Sequence, residues 1–436
     1  MKAAGAAGAL AATGGIKTLA RAGTSSASAL PATGADAPFD HVVVLCMENR
    51  SFDHYLSWVP GAAGSTQTNV PYLDDHGTAH YTHHLTEWQG CGFADPDHSV
   101  AGGKLQYNGG ACDGFRKGEN DDYALGYYLR NDLQTYRALV DGYTTFDHWF
   151  CSILGPTYPN RFYTHAAATD RLINNFDTST LRTIWDNLAA AGKDARYYFS
   201  DLPFLGLWGP KYAPISHAFG RFFVDAAAGN LANYTYLDPF FLGEGQGGSN
   251  DDHPHADIRR GQALVSQVTR ALQSSPNWSR TVFFVIYDEW GGFFDHVPPP
   301  QLPDLNGTPT ADDPRGQAGF RIPAFVVSPF SPRGAVAGAQ YDHTSILKLV
   351  EWRWGLDALT ERDAAAANPA EVLDFDTVPP NLIPAVVPSV LDPGPHLCGS
   401  PEVGMTQFDP AWQRFKASSA LAEFNRAQGG LPVGVR

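Results

Sequence analysis

Three uninterrupted apolar runs punctuate the chain: Val42 to Met47, Val282 to Tyr287 and Ile322 to Val327, the last broken off by Ser328-Pro329. They are short and rich in β-branched and aromatic residues. A strand with no polar alternation is covered on both faces, as in a parallel sheet. Arg196 to Phe199 reads as a further strand. Between these runs the apolar period lengthens to that of a helix over Leu181 to Ala191, with Gly192 closing it, over Ile258 to Leu272 and over Thr344 to Trp354. Strands alternating with helices predict an α/β protein. Two stretches, at about 61–140 and 200–250, carry Gly, Asn and aromatic residues without a period and read as long loop insertions. From 357 onward the chain is Pro-rich and irregular, with one amphipathic helix expected around Pro410 to Arg426. No internal repeat is visible.

Two of the apolar runs end abruptly in chemistry. Glu48-Asn49 follows the first and Asp288-Glu289 the second. Ligands of open α/β sheets bind at that end of the strands. Oxygen donors of this kind suit a hard divalent cation such as Ca, Mg, Mn or Zn, with no choice among them. Neighbouring side chains point to opposite faces of a regular strand, so each pair converges only where the chain turns. Gly291-Gly292 permits such a turn. One shared metal then requires the two strands to lie close together and parallel, although far apart in sequence. The plainer reading of Glu48-Asn49 is a polar strand end leading to a short helix through Phe52 and Tyr55, with Ser51 as its N-cap.

The motifs around these ends are long: Glu-Asn-Arg-Ser-Phe-Asp-His-Tyr at 48–55, Gly-Pro-Thr-Tyr-Pro-Asn-Arg at 155–161, His253-Pro254, and Tyr-Asp-Glu-Trp-Gly-Gly-Phe-Phe-Asp-His-Val at 287–297. In this order they resemble the bacterial phosphoesterase family, which holds phospholipases C and an acid phosphatase branch. The resemblance spans about Phe39 to Trp354. It implies an alkaline-phosphatase-like fold: a mostly parallel central sheet flanked by helices on both faces, with the metal at the strand ends. It also implies a phosphoesterase domain over 39–436, preceded by an arm at 1–38.

Roles follow from the resemblance together with the residues. Thr157 sits in a segment with too many breaks for helix or strand and either caps a helix starting near Asn160 or attacks phosphorus; the resemblance favours the nucleophile, itself a metal ligand beside Glu48, Asn49, Asp288 and Glu289. His253 is the implied general acid; His296 and His343 each read as a ligand, an acid or a hydrogen-bonded loop residue, with His296 set among the catalytic residues and His343 among the substrate contacts. Arg161 either clamps a phosphate oxygen or forms a structural ion pair, and Asn160 stands beside it. Trp290, set among the substrate contacts, is one of a set of aromatics, with Tyr55, Trp58, Trp88, Trp149, Tyr158, Phe293 and Phe294, that are either ordinary core and pocket wall or a choline cage by cation–π contact. The expected reaction is a double displacement on a phosphatidylcholine-type lipid, releasing diacylglycerol and a phosphorylated headgroup through a phosphothreonine. A broad-specificity acid phosphatase on small phosphomonoesters is the competing enzyme reading. A non-catalytic, metal-stabilised surface protein is the third.

Composition adjusts this picture little. The 436 residues carry a net charge of −15, which disfavours nucleic acid and anionic membranes but leaves peripheral contact with a neutral-headed lipid surface open. Ala3 to Ile16 and Ala27-Ser-Ala29 resemble the hydrophobic and cleavage regions of a secretion signal, without a preceding Arg-Arg pair, so export to the cell envelope or medium is expected and a cytoplasmic place is the alternative. Of the five cysteines, Cys91 and Cys112 lie in one Gly-rich insertion and could form a disulfide, though the pairing among Cys91, Cys112, Cys151 and Cys398 is left open; Cys46 reads as a buried apolar residue.

Overall fold

The structure, a computed structural model, describes residues 30–399 apart from Leu202 and Ala311, together with 419–427. The signal-like stretch lies outside the described residues, as does most of the helix expected around 410–426.

Twelve strands occur among the described residues: β1 His41–Met47, β2 Tyr72–Leu73, β3 Ala79–His80, β4 His83–His84, β5 Gly126–Tyr127, β6 Thr144–Phe146, β7 Ala195–Phe199, β8 Ser216–Ala218, β9 Tyr234–Asp238, β10 Thr281–Tyr287, β11 Ala324–Val327 and β12 Ala335–Ala337. Eight form the central sheet, in the order β12-β6-β11-β10-β1-β9-β7-β8. Only β11 runs against its neighbours; the other pairings are parallel. The sheet is therefore the mostly parallel one the apolar runs predict. β1 and β10 are neighbours at its centre, and every residue of β10 is buried.

The helices are α1 Phe52–Leu56, α2 Val100–Tyr107, α3 Gln134–Gly142, α4 Thr157–Ala166, α5 Ile184–Ala190, α6 Phe219–Ala227, α7 Ile258–Gln273, α8 Thr344–Trp354, α9 Glu361–Ala365 and α10 Ser419–Ala427. Successive residues of β7 show that both faces are covered. Tyr197 packs against Trp185 of α5, whereas Tyr198 packs against Phe222 of α6. α3 and α7 lie with α6, and α4 and α8 with α5. Ser51 caps α1 as expected, accepting from the His54 amide at 3.2 Å.

Two expectations are corrected. Residues 157–161 are helical: α4 begins at Thr157, with Pro156 as N-cap and Pro159 in the first turn. Amides of a first turn have no intrahelical acceptor, so proline there costs no hydrogen bond. The disulfide joins Cys91 to Cys398, across 307 residues, and Cys112 is a buried free thiol. The bond pins the C-terminal segment to the insertion beside the site, where the Cys398 amide donates to Gln246 at 2.8 Å and Gln89 to the His396 carbonyl at 2.6 Å.

Candidate active site

β1 and β10 run in register from His41–Thr281 to Met47–Tyr287, and the Asp288 amide continues the ladder by donating to the Met47 carbonyl at 3.0 Å. Glu48 and Asp288 therefore leave the sheet side by side. The chain then turns sharply. Asn49 is left-handed (φ 63°), a conformation its short polar side chain tolerates, and its amide donates to Asp288 Oδ1 at 3.1 Å. Gly291 sits so close that a Cβ there would lie 2.1 Å from the Asn49 carbonyl oxygen. On the other flank of β1, β9 ends in Asp238, a third strand-end carboxylate.

The side chain that gathers them is Arg161 of α4. Its guanidinium reaches Glu48 at 3.0 Å, Asp238 at 2.7 Å and Asp288 at 3.2 Å, and is 1% exposed. It is an ion-pair hub, turned to carboxylates. One cation among these acids leaves a surplus of negative charge. Burial, reinforced by Asp288 and opposed by Arg161, pushes the Glu48 carboxyl well above its usual range. Burial also raises Glu289, with His98 opposing and Asp288 reinforcing. Asp238 is raised by burial against the pull of Arg161.

Several oxygens here have no hydrogen bond. Asn49 Oδ1, Glu289 Oε1 and Asp251 Oδ2 are buried without a hydrogen bond. Glu48, Glu244 and Asp251 bring ligand oxygens within 4.8 Å of one another. Unsatisfied, crowded oxygen donors in excess of their counter-charge fit a hard divalent cation. Glu244 and Asp251, which the sequence reading did not include, thus join Glu48 as candidate donors.

Thr157 lies at the first position of α4, 7% exposed, and one helical turn before Arg161, so both lie on one face of the helix. Asn160, proposed as a substrate contact, is corrected to a scaffold residue. Its Nδ2 donates to the Ile153, Gly155 and Pro156 carbonyls at 3.1, 2.8 and 3.2 Å, and its Oδ1 accepts from the Ile153 amide at 3.0 Å. These bonds fix the turn that presents Thr157.

The histidines separate. His253 is 5% exposed, its Nε2 is 3.6 Å from Asp95, and its Nδ1 is unpartnered. Burial lowers it to about 3, so the ring is neutral. His98, absent from the sequence reading, forms a cluster with Asp95 and His253 and stands 3.9 Å from Glu289. Burial alone would lower His98, but Glu289 and Asp95 raise it to about 9. His343 is corrected: it is wholly buried, Nδ1 facing the Ser152 hydroxyl at 3.1 Å and Nε2 the Tyr287 carbonyl at 2.9 Å, so both nitrogens serve the scaffold. His296 pairs with Asp53 in a different cluster, beside Asp295. Trp290 is corrected as well: it is wholly buried, its indole N–H donates to Gln106 at 2.7 Å and its ring packs on Phe320. Tyr55, Trp149, Phe293 and Phe294 are likewise fully buried, which makes them core and not a choline cage.

Residues that sequence reading missed share a cause. His98, Asp95 and Glu244 lie in stretches read as featureless insertions, and Asp238 ends a strand interrupted by Thr235 and two tyrosines. The acid and histidine density of Asp95-Pro-Asp-His98 was the available signal for the first pair.

The family model described as Phosphoesterase family matches residues 39–357. Non-specific phospholipase C6 of Arabidopsis thaliana is 31% identical over 396 residues, covering 81% of this chain and 75% of the relative. Phospholipase C B of Mycobacterium tuberculosis is 30% identical over 428 residues, covering 80% of each. Among solved structures, a protein of the alkaline phosphatase superfamily from Vibrio parahaemolyticus aligns with a TM-score of 0.40 at 10% identity, over 79% of this chain and 75% of that one.

Proposed function

The chain belongs to the phosphoesterase family, and from that premise we propose that this phosphoric ester hydrolase is a metal-dependent phospholipase C. It cleaves phosphatidylcholine-type lipids to diacylglycerol and phosphocholine by double displacement at Thr157. The observation that carries this reading is the meeting of Glu48 and Asp288, from the ends of adjacent parallel strands, on Arg161, one turn after Thr157. Names of relatives supply the substrate class; the Cys91–Cys398 bond supports an exported enzyme.

Glu48, Asn49, Asp288 and Glu289 would hold one divalent ion, with the Thr157 hydroxyl as a further ligand. When bound, the ion supplies positive charge that draws on a phosphoryl oxygen and lowers the pKa of a neighbouring hydroxyl. Thr157, its hydroxyl proton released to solvent, attacks phosphorus through Oγ, the bond to the diacylglycerol oxygen breaks, and phosphocholine is left as an ester on Thr157. His253 gives the departing oxygen a proton. Its burial keeps the ring neutral in the free enzyme, so the proton is taken up as the phosphate's negative charge arrives beside it. Water then cleaves the threonyl ester. His98, next to His253, extends the hydrogen-bonding wall that faces the phosphate.

Parallel assays on phosphatidylcholine and p-nitrophenyl phosphate test the substrate class. Turnover of the lipid is expected, and hydrolysis of the monoester alone rejects the phospholipase reading. Thr157→Ala should keep the fold, judged by thermal melting, and lose turnover; more than a few per cent of the wild-type rate removes the nucleophile assignment.

A further inference from the structure

His253 stands on a loop with no regular structure, and its backbone is under strain: Asp252, immediately before it, has φ 77°. A non-glycine residue at that angle persists only where surroundings hold it. The holder is Arg50. Its Nε donates to the Asp252 carbonyl at 2.6 Å, and its NH2 group to the His253 and Pro254 carbonyls at 3.1 and 3.4 Å. Three successive carbonyls thus converge on one guanidinium that is wholly buried.

Arg50 is itself fixed from behind. Its NH1 group donates to His54 Nε2 at 2.8 Å, while His54 Nδ1–H donates to the Gly126 carbonyl at 2.7 Å, which sets the neutral tautomer of His54 as an acceptor. The Phe293 ring lies 4.8 Å from the guanidinium carbon and Tyr55 5.5 Å. Arg50 also follows Glu48-Asn49 directly, its amide donating to the Glu289 carbonyl at 3.1 Å, and the Glu48 amide donates to the Asp251 carbonyl at 2.8 Å. One residue therefore touches the strand ends that carry the metal ligands and the loop that carries His253.

We propose that Arg50 is a positioning residue for proton donation to the leaving alcohol, holding His253 in register with the metal ligands. The proposal rests on the role given to His253 above. Lysine keeps the charge at this position but has no planar fork to span three carbonyls, so Arg50→Lys should let the loop drift. A misplacement of about 1 Å at a reacting group costs on the order of 10²-fold in rate.

The test compares wild type, Arg50→Lys and His253→Ala on phosphatidylcholine and on p-nitrophenyl phosphorylcholine. The nitrophenolate departs without a proton, so loss of a proton donor is felt chiefly on the lipid. Both variants are expected to lose about 10²-fold in kcat on the lipid and far less on the nitrophenyl ester, at nearly unchanged KM. If His253→Ala behaves so and Arg50→Lys loses equally on both substrates, the Arg50 proposal is overturned while the His253 assignment stands. If His253→Ala itself loses equally on both, the His253 assignment fails and the Arg50 role falls with it. Should Arg50→Lys not fold, Tyr123→Phe removes a milder support of the same loop, the 2.6 Å bond from the Tyr123 hydroxyl to the Pro254 carbonyl. It is held to the same substrate-dependent loss.

Discussion

Two buried arginines gather carboxylates in this molecule, and they do so to different ends. Arg321 meets Asp295 through Nε at 2.9 Å and NH2 at 3.1 Å, and Asp53 at 3.1 Å. Its NH1 group donates to the Ala63 and Asp147 carbonyls at 2.8 and 2.9 Å. Every oxygen of the two acids is also satisfied from elsewhere: Asp53 by the Ser65 and His296 amides, Asp295 by the Asp53 and Val297 amides. Carboxylates outnumber the guanidinium at both centres, but near Arg161 the oxygens of Asn49, Glu289 and Asp251 are buried without a hydrogen bond. A buried charge network with all bonds made is architecture. One with unmet oxygens and excess negative charge fits a hard divalent cation. The contrast sets Asp295 and His296, which lie in the same motif as Asp288 and Glu289, apart from the strand-end acids.

The comparison can be broken at several points. The largest effect is expected from Glu48→Gln, which should lower turnover by about 10³-fold or more, through loss of a metal ligand, while its melting temperature in chelator is no lower than that of wild type. Glu48 is a carboxyl whose charge is already disfavoured by burial and by Asp288; a neutral isostere relieves the crowding. A marked fall in apo stability would make the Arg161 cluster architectural too. Asp295→Asn should do the reverse. It leaves the Arg321 charge buried with a partner missing, costing roughly 3–5 kcal/mol of unfolding free energy, with far less change in turnover per folded molecule.

Metal affinity should weaken as pH falls, read by calorimetric titration with the ion between pH 8 and 5. Glu48 and Glu289 have raised pKa values, so protons compete with the cation and are released when it binds. A pH-independent affinity would place the ion elsewhere.

The smallest effect belongs to His296. Burial would lower its pKa, but the hydrogen bond and charge of Asp53 raise it above the ordinary value. A histidine whose folded pKa is raised contributes stability that is fully present below its unfolded pKa, near 6.5, and lost as pH rises through the folded value. His296→Gln should therefore be less stable than wild type at pH 6, with the gap closing toward pH 9 in chemical denaturation. A gap that widens with pH would contradict the pairing.

The sequence was informative where burial is uniform. β1 and β10 are legible as unbroken apolar runs, and α8 spans Thr344–Trp354 as its periodicity predicts. Their adjacency followed from the demand that two ligand pairs share one ion. α4 was illegible because Pro156 and Pro159 look like breakers, yet both lie where a helix has no amide bond to lose. The Cys91–Cys398 bond spans 307 residues, and spacing carries no information about a contact made by the folded chain. His98 and Asp238 depend in the same way on which loops and strand ends the sheet brings together. Trp290 and His343 failed as substrate contacts because residue type predicts chemistry but not which way a side chain is turned.

The most direct measurement is acid quenching of the metal-loaded enzyme during turnover of phosphatidylcholine, at times when diacylglycerol is released in a burst, followed by peptide mass spectrometry. The account predicts a phosphocholine ester on the peptide containing Thr157, absent from Thr157→Ala. A label on any other residue, or an unmodified Thr157 during such a burst, contradicts it.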